Sequence, residues 1–407
     1  MTSPPELLAP AGNLEKLETA LLYGADAVYV GGEQFGLRAQ ADNFTLEQLA
    51  RARDLTRRLN RRLYLTLNAY LAPGEMDACA DYVERLRDLE LDAYIVADPG
   101  VLALVRAIDP ERELHLSTQA NTTNAEAIRF WAAAGVKRVN LARELSLEEI
   151  RAVRKTTEAE LEVFVHGAMC VAYSGRCLLS AALTGRGANR GLCTQPCRWS
   201  YALMEKTRPG RYFSLEQDER GSYLLNSRDL CLLDQLPLLV EAGIDSLKIE
   251  GRMKSRYYVA AVTRVYREAL DRYVENPHVW RPLADWRREL ESVSHRPYGT
   301  GFFLGRDEPQ LQPEDGGYIR HCDFVGEVVE VEKDGRGEVV GRNRFFPGEV
   351  LELIGPGMRQ ARFEVRKPAA GDGSSLSVVQ PNARVWLPLP PGARAGDLLR
   401  RNRSEEA

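Results

Sequence analysis

The chain has 407 residues, 44% of them apolar and 28% charged, with a formal net charge of −4. That length accommodates two or three domains and a large buried core. The near-neutral charge alone gives no reason to expect nucleic acid, and no run approaches the roughly 18 apolar residues of a membrane span.

The first residues, Met1-Thr-Ser-Pro-Pro-Glu, lack a basic segment followed by an apolar one, so no secretory signal is expected and the protein is read as cytoplasmic. Strand-like runs recur at 6–11, 27–30, 63–67, 93–96, 114–117, 138–141, 161–165 and 246–249. Between them lie amphipathic helical patterns. One starts at the N-cap candidate Asn13 and closes at Gly24, another ends at Gly135, and a third opens on a capping box, Ser146 to Glu149. Strand alternating with helix implies parallel pairing with both faces covered. Eight such units predict an α/β fold, a closed eight-stranded β/α barrel, whose functional residues gather on the loops after the strands.

About 80 residues separate the seventh and eighth strand runs, against 20 to 35 elsewhere. A helix follows at 257–273, then a linker with Pro and Trp. From 323 the pattern changes to period-2 alternation broken by glycines, the mark of a small all-β domain. The predicted organisation is a barrel over 1–275 with an insertion at 170–225, a linker and helical segment over 276–322, and a β-domain over 323–407. Residues 400–407 read as a frayed tail. The Gly31-Gly32 pair reads as a tight turn. Arg51, Arg53, Arg57, Arg58, Arg61 and Arg62 read as a solvated helix face rather than an RNA contact.

The long insertion holds the strongest chemical signal, Cys170-x6-Cys177-x15-Cys193-x3-Cys197. Four clustered thiolates in a chain without an export signal point to metal rather than disulfides. They are the complement of a [4Fe–4S] cluster or of structural zinc. The spacing, one tight pair and one loose, favours iron–sulfur over zinc, and buried thiols without metal remain the bland alternative. Cys231 competes as a fourth ligand. Cys79 and Cys322 read as small hydrophobes. His166, four residues before Cys170, allows a Cys–His nucleophile pair. No His-Glu-x-x-His or Gly-x-Ser-x-Gly occurs.

Several stretches resemble the collagenase-like peptidase family, and within it the branch of prephenate-dependent tRNA uridine hydroxylases. They are Glu6-Leu-Leu-Ala-Pro-Ala-Gly, Tyr23-Gly-Ala-Asp-Ala-Val-Tyr, Val163-Phe-Val-His-Gly-Ala-Met-Cys-x6-Cys, Asn226-Ser-Arg-Asp-Leu, Ser246-Leu-Lys-Ile-Glu-Gly-Arg-Met-Lys-Ser and Arg344-Phe-Phe-Pro-Gly-Glu-Val-Leu-Glu-Leu. The resemblance implies oxygen-independent hydroxylation of the tRNA wobble uridine at C5, with prephenate as hydroxyl donor and a [4Fe–4S] cluster. Two alternatives stay open: a collagenase-like peptidase, and an iron–sulfur hydroxylation factor for ribosomal RNA or a quinone precursor. A dicarboxylate donor calls for fixed cations, and Arg38, Arg143, Lys248, Arg252 and Lys254 stand at strand ends. Asn68, Ser117, Gln119 and Asn121 could read a uracil edge. Lys248 and Glu250 alternate and should face inward together, as an interior ion pair or as ligands. With Arg252 and His166 they are the candidate catalytic set. Oligomeric state is not legible.

Overall fold

The computed structural model describes residues 4–37, 42–169, 176–188, 191–196, 203–204, 212–213, 217–218, 221–222, 228–305 and 318–403. The chain divides into two compact units: residues 1–21, 25–254 and 296–318 form the first, and residues 22–24, 255–295 and 319–407 the second.

The first unit is a closed parallel barrel, as the alternation predicts. Its strands are β1 (Glu6–Pro10), β2 (Ala27–Gly31), β3 (Arg62–Leu67), β4 (Ala93–Val96), β5 (Glu113–Leu116), β6 (Arg138–Asn140) and β7 (Glu160–Ala168), closed by β9 (Ser246–Ile249). Closure is explicit in the register: Leu247 of β9 pairs with Leu7 on one side and Val163 on the other. Helices α1 (Leu14–Leu22), α2 (Leu46–Arg58), α3 (Met76–Arg87), α4 (Pro99–Ile108), α5 (Ala125–Ala133), α6 (Leu147–Arg154) and α8 (Leu236–Glu241) return the chain between strands. Local signals set their ends. Asn13 Oδ1 accepts from Lys16 N at 3.0 Å, and α6 starts on the Ser146–Glu149 capping box.

Beyond the expected strands, β8 (Asp229–Cys231) runs antiparallel against the upper end of β7, with Cys231 opposite His166. The short β10 (Tyr298–Gly299) then pairs parallel with β8. A buried ion pair, Arg296 Nη2 to Asp229 Oδ1 at 2.7 Å, pins this return.

The register also orders the interior. Inward residues of alternate strands stack in layers of four. Leu8, Tyr64, His115 and Glu162 form one layer. Tyr29, Ile95, Asn140 and Lys248 form the next toward the C-terminal mouth, and Pro10, Thr66, Ser117 and Phe164 lie above them. An ion column climbs this interior. Glu6 bonds Arg138 at 2.5 Å, Arg138 lies 3.6 Å from Glu162, and Glu162 takes Lys248 Nζ at 2.8 Å.

The second unit packs α9 (Arg256–Glu275) and α10 (Ala284–Ser292) with a six-stranded antiparallel sheet. The sheet comprises β11 (Cys322–Val331), β12 (Arg336–Gly341), β13 (Val350–Ile354), β14 (Gln360–Glu364), β15 (Arg384–Pro388) and β16 (Leu398–Asn402), in the order β14-β13-β16-β11-β12-β15. Its core gathers Val325, Val339, Phe345, Leu353, Val385 and Leu399.

Three expectations are corrected. Residues 400–402 are not a frayed tail but part of the interior strand β16, where Arg400 is buried and bonds Glu289 at 2.7 Å and Glu352 at 2.8 Å. The helix read as the end of the barrel domain, α9, belongs with the second unit. Gly31 and Gly32 are extended rather than turned, one within β2 and the other bridged to Phe44. Their bareness serves close approach: a Cβ on Gly31 would lie 2.4 Å from Arg252 Nη1, and one on Gly32 2.1 Å from the Tyr82 hydroxyl. The solvated face expected of α2 and its exit is present: Arg51, Arg57, Arg58 and Arg62 are exposed, and carboxylates pair along the row, Glu47 with Arg51, Asp92 with Arg53, Glu90 with Arg57, Asp26 with Arg61 and Glu6 with Arg62.

Candidate active site at the barrel mouth

The predicted site residues fall into three groups. The first lines the floor. Lys248 is 3% exposed, and its ammonium lies 4.5 Å from the Tyr29 ring centroid and 5.5 Å from that of Phe164. Its carboxylate partner is Glu162 rather than Glu250. Burial alone would raise the Glu162 carboxyl, but Lys248 and Arg138 outweigh it and hold that carboxyl below its ordinary value. Glu250 accepts instead from the Tyr29 hydroxyl at 3.1 Å. Neither Glu162 nor Arg138 stood out in the sequence, since single charges inside short strands carry no pattern.

The second group forms the rim. Asn68 donates to Ser117 Oγ at 3.2 Å and accepts from Leu37 N at 3.1 Å, so both ends of its amide are engaged. Ser117 Oγ also accepts from Gln119 N at 3.4 Å, and the Gln119 carbonyl accepts from the Tyr70 hydroxyl at 3.0 Å. Asn121 adopts a left-handed conformation at φ 56°, and its buried Oδ1 has no hydrogen-bond partner among the described residues. Arg143 donates to Ala168 O at 2.6 Å and lies 4.4 Å from the Phe164 ring centroid, which sets it beside the exit of β7. His166 is 1% exposed and faces Tyr298, with Nε2 3.4 Å from the phenol oxygen. Lys254 lies 4.6 Å from the Tyr318 ring centroid. Arg252 reaches to the β2 exit, donating to Thr66 Oγ1 at 2.9 Å, Leu37 O at 2.6 Å and Asn43 Oδ1 at 3.3 Å. Its guanidinium shapes the mouth.

The third group is the cysteine segment. Cys170 and Cys197 lie outside the described residues, as does Arg38. Cys177 and Cys193 are half-buried free thiols. Cys177 lies two residues before α7 (Leu179–Thr184), and the Ser180 Oγ···Thr194 Oγ1 hydrogen bond of 3.1 Å ties the start of that helix to the residue after Cys193. Gln195 N donates to Cys193 Sγ at 3.4 Å. Cys231 is half-buried in β8, opposite His166 at the upper end of β7. Burial raises the Tyr70 hydroxyl pKa, and the positive charge of Arg176 partly offsets it. Among the described residues no group of three or more His, Cys, Asp or Glu side chains comes together to hold a metal; the two described thiols, Cys177 and Cys193, are of the soft donor type that iron–sulfur and zinc centres use.

Comparison with known proteins decides the family. Residues 12–313 match the family model described as Peptidase family U32, and residues 320–400 match its C-terminal domain. The chain belongs to peptidase family U32. Relatives within U32 carry different names. The tRNA hydroxylation protein P1 of Bacillus subtilis is 40% identical over 93% of this chain and 90% of its own length. The 23S rRNA 5-hydroxycytidine C2501 synthase of Escherichia coli is 38% identical over 81% of this chain and 49% of its own length. A protein named collagenase in Porphyromonas gingivalis is 31% identical over 94% of this chain and 97% of its own length. No helix of the described residues is long and apolar enough to cross a membrane.

Proposed function

We propose that this U32 protein is a cytoplasmic RNA hydroxylase that converts the wobble uridine of tRNA to 5-hydroxyuridine, taking the hydroxyl from prephenate. One observation carries the reading. The cysteine-bearing segment leaves β7 at the same rim that holds Asn68, Ser117, Gln119 and Asn121, above the Lys248 ammonium. Near-full-length similarity to a tRNA hydroxylation protein supports it.

In this reading Arg143 and Lys254 receive the donor's carboxylates, and the rim hydroxyl and amide groups orient a base drawn out of the flexible anticodon loop. Glu162 fixes the position of the Lys248 ammonium, accepting from Nζ at 2.8 Å. Arg252 holds the β2 loop in shape rather than touching substrate. Cys170, Cys177, Cys193 and Cys197 would hold a [4Fe–4S] cluster, which supplies redox or Lewis-acid chemistry at the mouth.

Nucleoside mass spectrometry of tRNA from a deletion strain tests the activity: 5-hydroxyuridine and its derivatives should vanish, and undiminished levels would end the proposal. Anaerobically purified protein should be brown, with the colour lost in Cys170→Ala, Cys177→Ala and Cys193→Ala. A colourless protein carrying one zinc per chain would replace the cluster. The collagenase name borne by one relative motivates a gelatin-cleavage assay with Cys170→Ala as control; the hydroxylase reading expects no cleavage.

A further inference from the structure

Asn140 is the last residue of β6 and is 2% exposed. Its side chain faces the barrel interior, because Arg138, two residues earlier, bonds Glu6 there and strand side chains alternate. The register puts it in the layer of Tyr29, Ile95 and Lys248, directly beneath the layer of Pro10, Thr66, Ser117 and Phe164 at the mouth. Its Oδ1 is buried without a hydrogen-bond partner among the described residues.

Burying an unsatisfied carboxamide oxygen costs about 1–3 kcal/mol. An aliphatic side chain at a barrel-interior position would avoid that cost. The nearby loop repeats the feature: Asn121 Oδ1 and Thr122 Oγ1 also lack partners, and Thr122 O accepts from Ala142 N, two residues beyond Asn140. Unpartnered polar atoms therefore gather on the β5–β6 side of the mouth, next to the layer that carries an ammonium.

We propose that Asn140 is the base-positioning residue of the site, its carboxamide pairing with the imide edge of a uracil ring while Lys248 faces the ring's O4. This rests on the hydroxylase reading above. A carboxamide matches that edge two-for-two, Oδ1 accepting from N3–H and Nδ2 donating to O4. The ammonium adds a donor-only neighbour. Cytosine carries an amine where uracil has O4, so donor would meet donor, and the floor favours uracil.

Binding measures this without turnover. Synthetic anticodon stem-loops carrying uracil, cytosine or no base at the wobble position are titrated against the full-length protein by fluorescence anisotropy. The wild type should hold the uracil hairpin on the order of tenfold tighter than the other two. Asn140→Ala and the similarly sized Asn140→Leu should reduce that preference to near unity and leave abasic binding unchanged. Thermal melts should show both variants folded, since no protein hydrogen bond to Oδ1 is removed. Retained uracil preference in a folded variant overturns the assignment and leaves the hydroxylase reading intact. A wild type indifferent to the base overturns it too, and the deletion-strain tRNA then tells whether the activity itself survives.

Discussion

Glu162 lies between Lys248 and Arg138 deep in the barrel, and Ser246 Oγ also donates to it at 3.3 Å. Removing the carboxylate leaves two buried cations short of a partner, a loss that typically costs about 3–5 kcal/mol. Glu162→Ala should lower unfolding free energy by that order in denaturant titration; a change under about 1 kcal/mol would mean that the column is not a structural unit. His115 gives a pH signature. Burial holds its imidazole pKa below 6.5, outweighing the neighbouring Glu113, with Arg138, Glu162 and Glu6 around it. A group depressed in the folded state is protonated first in the unfolded chain, so it costs nothing above about pH 6.5 and destabilises the fold progressively below. Melting temperature should fall as pH drops from 7 to 5, and His115→Phe should flatten that fall. An unaltered slope would show that His115 is not the cause.

At the level of elements, the Arg252 guanidinium threads over the β2 exit because Gly31 has no side chain. Gly31→Ala should displace the guanidinium from Thr66 and Leu37, loosening the loop and costing about 1–3 kcal/mol by overpacking. Chemical denaturation measures the loss, and an unchanged midpoint would refute the close-approach account. The same region shows what the sequence could disclose. Seven of the eight barrel strands were legible within a residue, because strands covered on both faces read as short, mostly apolar runs, while β7 runs three residues past its expected end to Ala168. Caps such as Ser146–Glu149 were legible because their chemistry is local. The partners of Arg252 and the position of Asn140 were not, since each depends on residues brought together only when the barrel closes. The antiparallel β8 was hidden for the same reason: its three residues acquire strand geometry from the upper end of β7.

Across the whole molecule, the change of pattern near 323 suggested a separable β-domain. The second unit instead includes α9 and α10. Arg264 is fully buried on α9 and is held by Glu289 and by the carbonyl of Gly355 at 3.0 Å, while Arg400 joins Glu289, Glu352 and the Tyr257 hydroxyl. Truncation after residue 321 should therefore expose buried charge and yield aggregated protein by size-exclusion chromatography. A soluble, monodisperse fragment with an intact melt would contradict that expectation.

The chain's route between the two units has a consequence for synthesis on the ribosome. Every strand of the ring is available once residue 249 has emerged, yet the partner for the outer edge of β8 comes only at residues 298–299. Until then that edge is an open template for foreign strands. A pause in translation between those points, or a shortage of chaperone, should be the moment at which the nascent protein is lost.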